Sequence, residues 1–304
     1  MNKASVLKGY LYVILSAVLF GTMPLMANLI YDDGVTPLCL VFLRNALSVP
    51  MLAVLAYALT GSLKITPKAL PSLATLAVMG CCITPMLLFS SYTYIDSGTA
   101  TVFHFIYPGV VVVAQLAMRK TKFSWGNTLS LLLCIAGIVL FYDPSQKING
   151  TGSAIALLSG VSYALYIMFL SGFKYKEISG FTFSFYIALI CTVVMALVCT
   201  VSANLTFPVS LKGWVLSLLF AASVNVGAVV LFQRGTFIIG GERASILSTF
   251  EPITSVLAGT LILGEVLVPR TVIGTLLVVS ASVVIGVCDI INNKNRQKNI
   301  REAA

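Results

Sequence analysis

Three ionisable side chains, Glu251, His104 and Arg44, lie inside long apolar segments of this sequence. A carboxyl group in such a segment must face a protein interior and can take up and release a proton, so Glu251 is predicted to be a proton-coupling or cation-binding residue. The alternative is a structural hydrogen-bond anchor beside the kink at Pro252. His104, the only histidine, can carry a proton near neutral pH, although a lone histidine is more often structural. Arg44 either extends to the membrane surface or is a counter-ion for Glu251 or for an anionic substrate.

Polar residues recur on one helical face in two of the apolar segments. They would line a cavity or form polar contacts between helices. The first stripe consists of Ser97, Thr101, His104, Pro108 and Gln115, and the matching stripe of Ser245, Ser248, Pro252, Ser255 and Gly259.

Neutral and aromatic side chains complete the candidate site. Tyr163 and Tyr166 follow Ser159 on one helical face, and Phe20, near Met23, follows Ser16 in the same way. The aromatic rings either stack on a substrate or pack in the core. A mildly polar, aromatic, weakly charged cavity suits a zwitterion or amphiphile better than a phosphate, which would need more Lys or Arg. The predicted substrate-binding residues are His104, Tyr107, Thr101, Gln115, Tyr163, Tyr166, Asn225, Ser248, Thr84 and Ser16, with Glu251 for coupling and Arg44 as a structural residue or counter-ion.

The sequence offers little for catalysis or metal binding. The seven cysteines lack metal-type spacing and are interpreted as small apolar packing residues. No paired catalytic motif accompanies the only histidine, and no aspartate lies in the middle of an apolar segment. We therefore expect no catalytic residue, no metal and no cofactor, with an intramembrane enzyme as the rival class.

The elements that position these residues are membrane-spanning helices. The 304 residues are 58% hydrophobic and 10% charged, against roughly 25% charged residues in a soluble domain. Each apolar segment is near the ~20 residues that a spanning helix needs, and a cleaved signal peptide is disfavoured because more spans follow the first. The predicted spans 1 to 10 are 9–30, 37–60, 73–95, 100–118, 126–142, 152–173, 181–201, 214–232, 244–263 and 271–288.

The formal net charge of +9 is distributed unevenly along the chain. If the N-terminus is cytoplasmic, fifteen of the 19 Lys and Arg residues lie in cytoplasmic loops or termini, and only Lys147, Lys212 and Arg270 lie outside. Positively charged loops stay in the cytoplasm. The charge therefore predicts a multi-pass protein with both termini cytoplasmic and no nucleic-acid partner. The membrane is expected to be a plasma membrane, the inner or cytoplasmic membrane of a bacterium.

The two halves of the chain repeat each other. The stretch from Ser97 to Tyr107-Pro108 is similar to that from Gly241 to Glu251-Pro252, and the two prolines are 144 residues apart. Each half has five spans, an odd number, so the second half would enter the membrane in the opposite orientation. We predict an all-α membrane protein of ten transmembrane helices as two inverted five-helix repeats, residues 1–145 and 150–290, with a cytoplasmic basic tail, 291–304.

Several motifs accompany the repeats: Phe42-x-Arg44, the two proline pairs, and Leu263-Gly264-Glu265 after span 9. Together they resemble the EamA-domain family of the drug/metabolite transporter superfamily, over about residues 9–288. The first half departs from the pattern, with Arg119-Lys120-Thr121 in place of the acidic corner. The resemblance implies a transporter of small metabolites, often amino acids or related amphiphiles. It also implies a central cavity lined mainly by spans 1, 3, 4, 6, 8 and 9, with spans 5 and 10 peripheral or dimerising.

The function expected is secondary active transport of a small organic metabolite, such as an amino acid, an amine or a similar amphiphile, by alternating access and with proton coupling through Glu251. The alternatives are a flippase for a lipid-linked substrate, a nucleoside or sugar transporter of the same superfamily, and a channel. The expected partners are the small-molecule substrate and membrane lipid, with a homodimer as a further option. The resemblance slightly favours export over import.

Overall fold

A computed structural model describes residues 3–95, 97–118, 125–141, 149–175, 177–254, 257, 269–270, 272–281, 283–284 and 287–288. These residues contain helices and no strand, and a helical segment lies at each of the ten predicted positions. We number the helices after the spans: α1 (Lys3–Phe20 and Met23–Tyr31), α2 (Pro37–Thr60), α3 (Pro67–Ser91), α4 (Ser97–His104 and Tyr107–Ala117), α5 (Trp125–Phe141), α6 (Gly150–Ser171), α7 (Gly180–Val201), α8 (Leu211–Ile239), α9 (Gly241–Leu247, continued at 250–254) and α10 (Val272–Ala281).

Six of these helices, α1, α2, α3, α6, α7 and α8, are long and apolar enough to cross a membrane. Shorter apolar helices lie in α4, α5 and α10, and α9 is described only in part. The multi-pass helical architecture is therefore confirmed, and the number of ten crossings stays a prediction. The corner at 119–121, its counterpart at 263–265, residues Ser255 and Gly259 and the tail at 291–304 lie outside the described residues.

Local sequence signals set several helix ends. Thr36 caps the first turn of α2, and Gly61, with φ of +67°, ends that helix in the left-handed conformation that glycine adopts most readily. The side chains of Asn149, Ser179 and Ser210 accept hydrogen bonds from the first backbone N–H groups of α6, α7 and α8. These caps satisfy donors that a helix cannot satisfy internally.

Each half contains a π-helical segment in its third helix. The segments are Ala77–Ile83 in α3 and Ala221–Val229 in α8, which begin 144 residues apart. A carbonyl of each accepts a hydrogen bond from the other half of the chain: Ser162 donates to the Met79 carbonyl at 3.2 Å, and Ser16 to the Ala228 carbonyl at 2.7 Å. These widened turns are thus tied to the first helix of the opposite half, and π-bulges are frequent at functional sites.

The helices of the two halves interleave. Helix α1 packs against α8, α6 packs against α3, and α2 packs against α7, so the same pairings result when the halves are exchanged. Small residues permit the closest approaches: a Cβ on Gly21 would lie 2.7 Å from the Glu251 carbonyl oxygen, and one on Gly160 would meet the carbonyl of His104. The central helices therefore surround an interior that belongs to both halves.

Helices α4 and α9 are both interrupted near the middle. The α-helical pattern stops at Phe105 and Ile106 in α4 and at Ser248 and Thr249 in α9, which are 143 residues apart. Helix α9 also follows α8 with only Gly240 between them, at φ of +84° and ψ of 162°. The interruptions bring His104 and Glu251, one from each half, to the centre of the bundle.

Candidate functional site

A cavity with an empty volume of about 550 Å³, part of it open to solvent, lies between the interleaved helices. Its lining comes from α1, α2, α3, α4, α6, α8 and α9, which are the six spans implied by the family resemblance together with α2. The lining residues are Phe20, Met23, Arg44, Gly80, Cys81, Thr84, Pro85, Leu88, His104, Tyr163, Tyr166, Val229, Phe232 and Glu251.

Aromatic rings form one wall of this cavity around Tyr163. The Tyr163 ring stacks on Tyr166 and Phe232, with centroids 5.7 and 5.8 Å away. It meets the Tyr107 ring edge-on at 4.8 Å and lies 5.4 Å from the His104 ring. The predicted Tyr163 and Tyr166 thus lie together on the cavity wall, where their faces can contact the apolar or cationic part of a solute.

Glu251 contributes the acidic group of the cavity. The residue is 8% exposed, and within the described residues its carboxylate has no hydrogen-bond or ion-pair partner. The surrounding tyrosines, Tyr92, Tyr107 and Tyr163, are close enough to interact with it electrostatically. A buried carboxylate without a protein cation is costly, so a proton, a cation or a cationic substrate group is its expected partner.

Arg44 contributes the basic group. Its side chain is 4% exposed and lines the cavity, so it does not extend to the membrane surface, contrary to the interfacial interpretation. The guanidinium carbon lies 5.6 Å from the centre of the Phe89 ring. No ion pair joins Arg44 to Glu251 in the part of the chain that the structure describes, so the cavity holds a positive and a negative group that do not neutralise each other by contact.

His104 lines the cavity and is anchored by α6. The Ser159 hydroxyl donates to the Ala156 carbonyl at 2.6 Å and lies 2.8 Å from His104 Nδ1. Since that hydroxyl proton is engaged, the serine accepts a proton from Nδ1, and His104 keeps Nε2 as its free ring nitrogen. His104 is therefore both anchored by α6 and placed on the cavity, so its structural role and its transport role both stay predictions.

Thr84 and Ser16, two further predicted binding residues, support the π-helical segments. The Thr84 hydroxyl lies 2.7 Å from the Met79 carbonyl and 2.9 Å from the Ser162 hydroxyl, and Thr84 also lines the cavity. Ser16 donates to Ala228 and is not among the lining residues. Polar side chains in these two positions satisfy carbonyls that a π-turn releases.

The remaining predicted binding residues make contacts between or within helices and do not line the cavity. Asn225 Nδ2 donates to the Arg44 carbonyl and to the side chains of Asn45 and Ser48, at 3.0, 3.0 and 3.3 Å. Thr101 donates to the Ser97 carbonyl, and Gln115 is buried beside Gly241. Tyr107 and Ser248 are hydrogen-bonded to each other.

Sequence reasoning missed part of the lining. Gly80, Cys81, Leu88, Val229 and Phe232 line the cavity although none was a candidate. They are small or apolar, and their only sequence signal is proximity to predicted residues, as with Cys81 three positions before Thr84. Apolar cavity walls and apolar cores have the same sequence pattern.

Comparison with known proteins gives a consistent result. A family model described as the EamA-like transporter family matches twice, at residues 7–143 and 150–287. An uncharacterized transporter of Clostridium kluyveri is 21% identical over 91% of this chain and 92% of its own length. An uncharacterized transporter of Archaeoglobus fulgidus is 25% identical, covering 80% and 86% of the two chains.

Two further matches extend over almost the whole chain. The uncharacterized inner membrane transporter YicL of Salmonella typhimurium is 24% identical over 91% of this chain and 95% of its own. A solved structure, titled only as a crystal structure of protein, superimposes with a TM-score of 0.73 at 16% identity, covering 93% of this chain and 97% of that one. At that identity the likeness concerns the fold alone.

Proposed function

Because the chain belongs to the EamA-like transporter family and is thus a membrane transporter of the drug/metabolite type, we propose that it moves a small organic metabolite across the plasma membrane by alternating access. The halves, 1–145 and 150–290, would be inverted repeats whose two packings open the cavity to either side in turn. The exchange-symmetric pairing of α1 with α8 and of α6 with α3 supports this mechanism. Both termini would then be cytoplasmic, in a bacterial inner membrane.

The substrate class follows from the cavity, and this observation carries the proposal. One cation, Arg44, and one carboxylate, Glu251, line the same cavity without contacting each other, and the rings of Tyr163 and Tyr166 lie on its wall. A solute with an ammonium group, an apolar body and few other charges complements this lining. The substrate is therefore an amino acid, an amine or a similar amphiphile.

Glu251 is proposed to couple transport to a proton gradient. Its carboxylate is buried and without a partner among the described residues, so it can be neutralised by either a proton or the cationic group of a solute. Competition between the two for one carboxylate would exchange a proton for substrate in each cycle.

Reconstitution in proteoliposomes tests the proposal. Counterflow of labelled amino acids, amines, nucleosides and sugars identifies the solute class, and we expect counterflow of an amino acid or amine. Glu251→Gln should abolish accumulation driven by a pH gradient, while counterflow remains but needs a higher solute concentration, because the ammonium group loses its carboxylate partner. Glu177→Gln, at an exposed acid, is the matched control.

Three results would count against parts of the proposal. Full accumulation by Glu251→Gln would remove the coupling role. Counterflow restricted to nucleosides or sugars would replace the substrate class. Single-channel currents in planar bilayers would replace the carrier with a pore.

A further inference from the structure

The segment that joins α7 to α8 has one polar edge and one apolar edge. We call residues 204–211 of this segment the strap. Every second side chain of the strap is exposed and apolar: Leu205, Phe207, Val209 and Leu211 are 44, 46, 87 and 81% exposed. Single exposed apolar residues are ordinary on a protein surface. Four in alternation form a continuous edge, and such a surface marks a contact with a partner or a membrane.

The opposite edge of the strap is bound to the turn between α1 and α2. The Thr36 backbone N–H donates to the Thr206 hydroxyl at 2.8 Å, and the Thr36 hydroxyl donates to the Asn204 carbonyl at 3.0 Å. The Ser210 backbone N–H donates to the Asp33 carboxylate at 3.0 Å. These hydrogen bonds fix which edge of the strap faces the protein, so the apolar edge is held outward.

The apolar edge continues the exposed faces of the two helices that the strap joins. Both helices are long and apolar enough to cross a membrane, so these faces contact lipid in a membrane transporter. The rings of Phe207, on the strap, and Trp214, on α8, are stacked with their centroids 6.1 Å apart. The exposed residues nearest the strap are Val193, Leu197 and Val201 on α7 and Trp214, Val215 and Leu218 on α8.

The internal repeat indicates that the fold does not require this apolar edge. Helices α2 and α7 begin 143 residues apart, at Pro37 and Gly180, and at this offset the strap corresponds to residues 61–68 between α2 and α3. The counterparts of Leu205, Phe207, Val209 and Leu211 are the polar or basic residues Ser62, Lys64, Thr66 and Lys68. Lys64, Thr66 and Lys68 are exposed, as their counterparts are. The apolar edge of the strap therefore needs a cause outside the fold.

We propose that the apolar edge of the strap lies in the membrane interface, at the boundary between the lipid headgroups and the acyl chains. Its continuity with the lipid-facing surfaces of α7 and α8 favours the bilayer over a protein partner. Tryptophan, here stacked on Phe207, is enriched at membrane interfaces. No charged residue occurs between Glu177 and Lys212. Lys212, exposed at the end of the strap, can extend to the headgroups.

The strap then connects the bilayer to the ends of two helices in the other half of the chain. Asp33 follows α1 and Thr36 caps α2, so lipid contacts of the strap would set the depth of both helix ends. In the proposed topology this is the outer face of the membrane. The inference goes beyond the proposed function, because it does not depend on which solute is transported.

Tryptophan fluorescence in vesicles tests the contact. The full chain without its own tryptophans, Trp125→Phe/Trp214→Phe, carries Val209→Trp or, as the matched control, Thr66→Trp at the corresponding position. Both positions are exposed, so the new ring fits without repacking. The vesicles contain phosphatidylcholine and phosphatidylglycerol, with or without phosphatidylcholine brominated near the top of one acyl chain. Relative to position 66, the ring at position 209 should be quenched about twofold more strongly by bromolipid and about twofold less by acrylamide.

A second measurement uses the natural Trp214 in the Trp125→Phe background. The triple variant Leu205→Ser/Phe207→Lys/Val209→Thr gives the strap the residues of its counterpart and keeps its polar edge. Quenching of Trp214 by bromolipid should fall about twofold, because the strap leaves the acyl-chain boundary. Val193→Thr, on the exposed face of α7 away from the strap, is the control and should leave the quenching unchanged.

Each of the contrary results would overturn the proposal. Bromolipid quenching at position 209 that is no stronger than at position 66, or acrylamide quenching that is no weaker, would place the strap in water. Protection of position 209 from both quenchers would place the strap against protein, such as a second copy of the chain. Unchanged quenching of Trp214 in the triple variant would show that the apolar edge does not hold the strap at the membrane. Failure of counterflow would affect the proposed function alone.

Discussion

The hydroxyl of Tyr107 lies 2.5 Å from the hydroxyl of Ser248. Tyr107 is the first residue of α4 after its interruption, and Ser248 lies in the interruption of α9. Ser248 also donates to the Ser245 carbonyl at 3.0 Å, so it accepts the proton of Tyr107. One hydrogen bond therefore joins the irregular points of the two halves beside the cavity.

Removing this hydrogen bond should destabilise the protein modestly. Tyr107→Phe and Ser248→Ala should each lower the free energy of unfolding by about 1 kcal/mol, the usual net value of a hydrogen bond. Because both remove the same interaction, the double variant should be little worse than either. Unfolding in mixed detergent and SDS micelles measures all three, and strictly additive losses would show that the hydroxyls do not interact.

Gly80→Ala should damage the cavity, because a Cβ at Gly80 would overlap the ring of Tyr166. The ring must shift, which disturbs its stacking on Tyr163 and the hydrogen bond that its hydroxyl accepts from the Gln233 amide at 3.1 Å. We expect counterflow to fall about tenfold, in line with the 1–3 kcal/mol that overpacking costs. The control is Gly109→Ala, where a Cβ has no atom closer than 4.0 Å; equal losses in both variants would contradict the prediction.

Asn225→Ala should reduce stability with little effect on solute affinity. Asn225 bonds to α2 rather than to the cavity, so its loss weakens the contact between α2 and α8 by about 1–2 kcal/mol. The thermal midpoint should fall, while KM for counterflow in the surviving protein stays within about twofold, a change too small to mark a lost contact with solute. Ser223→Ala in the same π-helical segment is the control, since Ser223 donates to the Leu219 carbonyl of its own helix at 2.7 Å and reaches the first half only through a 4.0 Å contact with the Met26 sulfur. A raised KM at an unchanged midpoint would return Asn225 to the substrate-binding residues.

Asp33 should make the stability of the protein depend on pH in the acidic range. Hydrogen bonds from Ser210, at the start of α8, hold the pKa of the Asp33 carboxyl below its ordinary value. A group whose pKa is lowered by folding stabilises the protein above its unfolded pKa, near 3.9, and loses that contribution as pH falls through the folded pKa. Asp33→Asn should therefore lower the thermal midpoint by a constant amount above about pH 5 and by less below pH 4. Asp32→Asn, one residue away, is the control. A difference in thermal midpoint between Asp33→Asn and the unmodified protein that grows as the pH falls would contradict the prediction.

The sequence was sufficient for the parts of the fold that depend on composition and repetition. Helical segments lie where the spans were predicted, and the resemblance carried by the repeated proline pairs is confirmed by the two family matches. The π-helical segments had no signal in the sequence, because a π-turn depends on which side chains donate hydrogen bonds to the carbonyls that it releases. These hydrogen bonds join residues far apart in the sequence: Ser16 and Ala228 are 212 positions apart, and Ser162 and Met79 are 83 positions apart.

For the site, the sequence identified charged and aromatic residues better than neutral ones. Glu251, Arg44, Tyr163 and Tyr166 line the cavity, since burying a charge or a large ring in a span restricts where it can face. Thr101 does not line it, because a hydroxyl can bond to its own helix four residues back. Helical periodicity identifies a face, but it does not say which neighbour that face meets.

Gly240 makes the two halves mechanically unequal. In the second half it is the only residue between α8, which carries Phe232, and α9, which carries Glu251, whereas five residues separate α3 from α4 in the first half. Because a single residue connects the two helices, a tilt of α8 would move the start of α9 directly. The start of α9 would then move together with the aromatic wall, whereas α4, which carries His104, is joined to its preceding helix by a longer segment.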